Sequence, residues 1–192
     1  YVLYVGRLSE EKGIFTLIDS IQLLKNERGY FDLKVLVIGD GELIGELRAK
    51  TASFHLDDVI IFLGEKKHEE IPIWINACDV LCLPSYREGC PNVVLETLSC
   101  GRPVVASGVG AIPELINIHN GRIFSPGNVN GLAEALKESL NKEWSEQAIC
   151  DSVKRYTWNE SAKKYKLLYK DAIHEFQTKK QGGFNENDKK NN

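Results

Sequence analysis

The chain has no methionine. A natural protein starts with one, and this chain opens instead on Tyr1-Val2-Leu3-Tyr4-Val5, already suited to a buried strand. The expectation is a piece of a longer protein, cut at a domain boundary. Its five cysteines (78, 82, 90, 100 and 150) are an odd number with no C-x-x-C pair, and no Cys/His cluster has zinc-site spacing. They read as free thiols of a reducing compartment, with Cys78 and Cys82 acting as small buried hydrophobes. No apolar run reaches membrane-spanning length, and none reads as a secretory leader. The charge excess is also small. A net charge of -3 argues against a general nucleic-acid binder, whose phosphate contacts need a basic surface.

What is there describes one ordinary domain. The 192 residues are 43% hydrophobic and 27% charged, enough chain to bury a real core. Short apolar runs alternate with segments of helical period. Val2–Val5, Leu33–Ile38, Val59–Leu63, Asp79–Leu83, Pro103–Ala106 and Gly121–Phe124 read as strands. Between them, Ile14, Leu17, Ile18, Ile21 and Leu24 recur at helical spacing. Further helices are expected over 42–54, 69–78, 91–101 and from Pro113, and through most of the chain to about residue 178, with a last helix over about 158–178. Strands that read as unbroken apolar runs are covered on both faces, and strand–helix alternation implies parallel pairing. The fold class is therefore α/β, a doubly wound parallel sheet over residues 1–178. Residues 179–192 are polar and are expected to form a disordered tail.

Ligands of such sheets bind outside the carboxyl ends of the strands. Five segments follow strands: 6–13, 39–42, 64–67, 84–92 and 107–114. In the first, Gly6 permits close backbone approach, Arg7 offers a planar fork and Lys12 a mobile charge, ahead of a helix N-terminus. Together these would suit a diphosphate; taken alone, the segment reads equally well as solvated surface charge. Gly39-Asp40-Gly41 is a tight turn. It lacks the Gly-x-Gly-x-x-Gly spacing of a dinucleotide site, which disfavours a nicotinamide-dependent oxidoreductase. The densest segment is Pro84-Ser85-Tyr86-Arg87-Glu88-Gly89-Cys90-Pro91-Asn92-Val93-Val94-Leu95-Glu96. Pro91 suits the first turn of a helix, and the amides of Gly89 to Val93, Pro91 excepted, would offer a nest for hydroxyls and phosphate oxygens. Glu88 or Glu96 by itself reads as a solvated acid. Beside the loop at 6–13, both become candidate hydroxyl acceptors.

In this order, Val5-Gly6-Arg7-Leu8 with Glu11-Lys12-Gly13, Gly39-Asp40-Gly41, Pro84-Ser85, Glu88 through Glu96, Gly101-Arg102-Pro103-Val104-Val105-Ala106, and Gly110 with Pro113-Glu114 resemble the C-terminal domain of family-four retaining GT-B glycosyltransferases. The resemblance runs from residue 1 to about 178. It implies one half of a GT-B fold that binds a nucleoside-diphosphate sugar for transfer to an acceptor hydroxyl with retention. Arg7 and Lys12 would grip the diphosphate and Glu88 the sugar hydroxyls, as the catalytic set. Gly6, Gly39, Gly41, Gly89, Cys90, Asn92 and Val93 would line the donor site, and Glu96 would accept from the ribose. Cys90, where a small or aromatic residue is expected, and residues 107–112 depart from the family pattern.

The resemblance also implies that no metal or other cofactor is needed and that the chain alone is inactive. The N-terminal half would bind a saccharide or lipid-linked acceptor and carry any peripheral membrane contact, at the inner face of a cytoplasmic enzyme. Surface-polysaccharide synthesis is the implied setting. A non-catalytic nucleotide-sugar-binding module is the alternative; a nucleotide-sugar epimerase is disfavoured by the paired glutamates. The apolar stripe Tyr165, Leu168, Tyr169, Ala172, Ile173 and Phe176 is expected to pack either on this domain or on the absent half. The four histidines, at 55, 68, 119 and 174, receive no role.

Overall fold

A computed structural model describes residues 1–25 and 32–182. Six strands form one sheet: β1 (Val2–Val5), β2 (Val35–Ile38), β3 (Ile60–Gly64), β4 (Val80–Leu83), β5 (Val104–Ser107) and β6 (Gly121–Phe124). Their order is β3-β2-β1-β4-β5-β6, and every pairing is parallel. The chain runs outward from β1 to β3, then returns to place β4 on the other side of β1. That reversal opens a crevice above the carboxyl ends of β1 and β4.

Side chains alternate between the two faces of the sheet. Val2 and Tyr4 join one core with Leu17, Ile21, Leu47 and Leu132. Leu3 joins the other with Ile75, Val94, Leu98 and Ile149. The first core is covered by α1 (Ile14–Lys25), α2 (Ile44–Ser53) and α6 (Val129–Asn141), and the second by α3 (Ile71–Asn76), α4 (Asn92–Ser99), α5 (Ile112–Leu115) and α7 (Glu146–Val153). The stripe expected on α1 is buried: Ile14, Leu17, Ile18, Ile21 and Leu24 are each at most 1% exposed. Each such side chain contributes roughly 1.5–3 kcal/mol of transfer free energy. The second strand starts at Val35 rather than Leu33, although Leu33 is buried against the first core.

Among the described residues, those up to Val153 form one compact unit and those from Lys154 to Gly182 belong to a second. The second carries α8 (Trp158–Gly182), on which Tyr165, Leu168, Tyr169, Ile173 and Phe176 are exposed. This helix runs on past residue 178, because Lys179, Lys180 and Gln181 are good helix formers. The rest of the expected tail, 183–192, lies outside the described residues. Among the described residues, no helix is long and apolar enough to cross a membrane.

Candidate functional site

Three loops meet above the crevice, and main-chain bonds join them. Gly6 N donates to Ile38 O at 3.0 Å, and Leu8 N to Asp40 O at 2.9 Å, so the loop after β1 lies along the loop after β2. Tyr86 N donates to Glu11 O at 2.8 Å, which ties the same loop to the one after β4. Two glycines make these approaches possible. Gly39 has φ 131°, and a Cβ there would lie 1.9 Å from the Gly6 carbonyl oxygen. Gly13 has φ 64°, and a Cβ there would lie 2.0 Å from the Pro84 carbonyl oxygen. Any other residue at either position would part the loops and meet the left-handed backbone penalty as well.

Between the first and third loops lies a charged pair. Lys12, in the short 3-10 turn Glu10–Lys12, places Nζ 2.8 Å from Glu88 Oε1. The Glu88 side chain is only 8% exposed and that of Lys12 23%. Ser85 Oγ donates to the same carboxylate oxygen at 2.7 Å. Below them Tyr4, wholly buried, donates its hydroxyl to the Arg7 carbonyl oxygen at 2.8 Å. Burial pushes the Tyr4 phenol well above its ordinary range, and the charges of Glu88 and Cys82 add to the shift. Tyr4 therefore stays protonated and keeps its grip on the Arg7 backbone.

Arg7 itself is held loosely. Its guanidinium reaches Glu42 at 3.5 Å, with both side chains more than half exposed. It stands on the wall of a cavity of about 740 Å³, together with Gly6, Gly39, Gly41, Lys66 and His68. That volume falls in the range of small-molecule sites. Glu96 borders this side through His68, whose Nε2 lies 3.9 Å from Glu96 Oε1. Lys12, Glu88 and the start of α4 lie outside the cavity lining. Of the expected residues, then, the structure brings Gly6, Arg7, Gly39 and Gly41 together around one cavity. Lys12 and Glu88 form a separate, part-buried pair that joins the first loop to the third.

The third element is the N-terminus of α4. Gly89, Cys90 and Asn92 are exposed at its entrance, and Val93 is half-buried. Pro91 occupies the capping position just before the helix, not its first turn as its residue type suggested. The first helical amides, those of Asn92 and Val93, have no acceptor one turn back within α4, and the helix dipole favours an anion there. The 107–112 loop closes on this entrance through Ala111 N, which donates to Gly89 O at 2.9 Å.

The thiols differ sharply. Burial pushes Cys78 up to about 11 and raises Cys82 and Cys100 as well. Cys90 is exposed at the site. Among the described residues, no group of three or more His, Cys, Asp or Glu could hold a metal ion. Several residues of this region had no role in the sequence reading: Ser85, Tyr4, Lys66 and His68. The Ser85-x-x-Glu88 spacing, which suits a side-chain bond across a turn, is a signal that could have found the first. Nothing in the sequence marks the other three.

Residues 1–142 match the family Glycosyl transferases group 1. The amylovoran biosynthesis glycosyltransferase AmsK of Erwinia amylovora is 35% identical over 143 residues, covering 70% of this chain and 34% of that protein. The putative teichuronic acid biosynthesis glycosyltransferase TuaC of Bacillus subtilis is 30% identical over 151 residues, covering 79% of this chain and 36% of that protein. Among solved structures, Anabaena HepE in complex with UDP-glucose superposes with a TM-score of 0.69 at 27% identity, covering 79% of this chain and 42% of that one. The chain spans about a third to a half of the length of the relatives it matches. It belongs to the group 1 glycosyl transferases and corresponds to the C-terminal domain of their GT-B fold.

Proposed function

We propose that this chain binds a nucleoside-diphosphate sugar along the carboxyl edge of its sheet and is the donor half of a retaining hexosyltransferase. The observation that carries the reading is the shared origin of two cations in one loop, Arg7 on the wall of the cavity and Lys12 on Glu88, just ahead of the anion-seeking N-terminus of α4. The nucleotide occupies the cavity beside Gly6, Gly39 and Gly41, with Glu96 accepting from the ribose. The diphosphate lies against Arg7, Lys12 and the amides of Gly89, Cys90, Asn92 and Val93, and the transferred sugar meets Glu88 and Cys90. HepE, a relative at 27% identity, is solved with UDP-glucose, which makes UDP the first nucleotide to try.

When the anomeric bond breaks, negative charge gathers on the leaving diphosphate. Fixed donors aimed at that charge lower the barrier, and this is usually the largest catalytic contribution. Two side-chain cations and a helix N-terminus supply such donors without a metal. The acceptor hydroxyl attacks from the face the diphosphate leaves, so configuration is retained. The acceptor, a saccharide or a lipid-linked sugar of a surface polysaccharide, binds outside this chain. A peripheral membrane contact in the whole protein would serve a lipid-linked acceptor, and free thiols suit the cytoplasmic side.

The test is calorimetric titration of the chain with UDP, GDP and ADP, and then with their sugar conjugates, without added metal. One nucleotide is expected to bind, and Glu96→Ala to weaken it about tenfold through the loss of a charge-assisted hydrogen bond. Equal affinity in Glu96→Ala would remove the ribose role. Failure of all three nucleotides, in this chain and in its full-length parent, would remove the donor reading.

A further inference from the structure

We infer that Ser85 is a positioning residue: it holds the Glu88 carboxylate toward the donor sugar and lets Lys12 leave that carboxylate for the diphosphate. The inference rests on the donor-site reading above. Ser85 is wholly buried at the end of β4, and its carbonyl oxygen accepts from the Ser107 hydroxyl at the end of β5. Its backbone is therefore anchored independently of its side chain. The side chain donates to Glu88 Oε1 at 2.7 Å, and Lys12 Nζ donates to that same oxygen at 2.8 Å. Among the described residues, Glu88 Oε2 receives no side-chain hydrogen bond, so it is the oxygen open to a ligand hydroxyl.

The doubling on Oε1 has a consequence. Lys12 cannot give its full charge to a diphosphate while it is committed to Glu88. If it turns to the phosphate, Glu88 loses its cation although its side chain is only 8% exposed. A carboxylate left buried without a donor is costly. Ser85 lowers that cost in part, because its hydroxyl stays on Oε1 and keeps the carboxylate plane fixed. Lys12 is 23% exposed and reaches solvent, whereas Ser85 is not exposed and does not move away. The division of labour is a fixed neutral donor beside a cation free to change partners.

The experiment measures the affinity of the chain for UDP and for UDP-glucose, or for the GDP or ADP pair if the titration above selects those. Ser85→Ala is expected to weaken the nucleotide about threefold, because Lys12 is then harder to release to the diphosphate, and the nucleotide sugar by about a further tenfold, the loss of one hydrogen bond to a charged group. A loop that had merely collapsed would weaken both ligands equally. Ser85→Thr, which keeps the hydroxyl, is expected to recover most of the loss. In a Glu88→Gln background, Ser85→Ala is expected to add little, because the two substitutions remove the same interaction. Equal weakening of both ligands, no change in either, or a full additional loss in the Glu88→Gln background would each overturn the assignment of Ser85 while leaving the donor site standing. If no nucleotide binds the unsubstituted chain or its parent, the donor reading falls and this inference falls with it.

Discussion

Lys12 and Arg7 stand on one loop, yet their surroundings are opposite. Lys12 lies 2.8 Å from a carboxylate that is only 8% exposed, whereas Arg7 meets Glu42 at 3.5 Å with both partners largely in solvent. An exposed pair of the second kind contributes about 0–1 kcal/mol to stability. Removing one partner of a buried pair leaves a charge unpaired and costs up to roughly 3 kcal/mol. Lys12 is thus part of the fold as well as of the proposed site, whereas Arg7 contributes little to the fold. The same division extends to the loops. Around Lys12, the segments after β1 and β4 are locked by Gly13 against Pro84 and by Tyr86 against Glu11. Around Arg7 the surface opens into the cavity.

Substitutions can break this contrast. In the full-length parent, Lys12→Ala and Arg7→Ala are each expected to lower the transfer rate by about 100- to 1000-fold, the scale for loss of one charge-stabilising donor. Thermal unfolding should separate them, with Lys12→Ala lowering Tm and Arg7→Ala leaving it nearly unchanged. Equal Tm values in the two variants would erase the distinction, and near-normal turnover in both would remove the diphosphate grip.

The next effect concerns backbone. Gly13→Ala brings a Cβ to 2.0 Å from a carbonyl oxygen at positive φ, whereas at Gly89 a Cβ meets nothing within 4 Å. Gly13→Ala should cost more than about 1–2 kcal/mol from the left-handed backbone alone. Gly89→Ala should stay within about 0.5 kcal/mol. Urea titration of both measures the difference, and a Gly13→Ala chain as stable as the unsubstituted one would show that the loops are not locked.

The smallest effect is on the thiols. Cys90 should react with a thiol reagent in the native protein, and its modification should weaken nucleotide-sugar binding, while Cys82 should react only on unfolding. Cys78, raised by burial to about 11 from an ordinary 9, adds stability that is complete below pH 9 and is lost as pH rises through 11. Cys78→Ala should therefore flatten the alkaline fall in urea stability. A fall unchanged by that substitution would assign it to other groups.

The sheet was readable because its four inner strands, β2, β1, β4 and β5, are covered on both faces and so appear as unbroken apolar runs. The strand ends were readable because glycine or proline follows them. Gly39 and Gly13 could be recognised as loop glycines, but not as the points where one loop rests on another. The Lys12–Glu88 pair joins positions 76 apart, and no local pattern announces such a partner. The same is true of the approach of His68 to Glu96, which arises only when the segment after β3 is laid beside α4. Pro91 shows the limit on the smallest scale: its residue type suits both the cap and the first turn, and only the backbone φ and ψ of −73° and 116° decide between them. Ser85 lies within a legible motif, yet its bond to one particular oxygen of Glu88 is visible only in the folded chain.

The central claim, that the carboxyl edge of this sheet is a nucleotide-sugar site, is tested most directly by amide NMR of the chain during titration with UDP and UDP-glucose. The expected result is a set of shifts confined to Gly6, Arg7, Lys12, Gly39–Gly41, Glu88, Gly89, Cys90, Asn92, Val93 and Glu96, with those of Glu88 and Cys90 growing when the sugar is present. Shifts clustered on another surface, or no difference between the two ligands at Glu88 and Cys90, would contradict it.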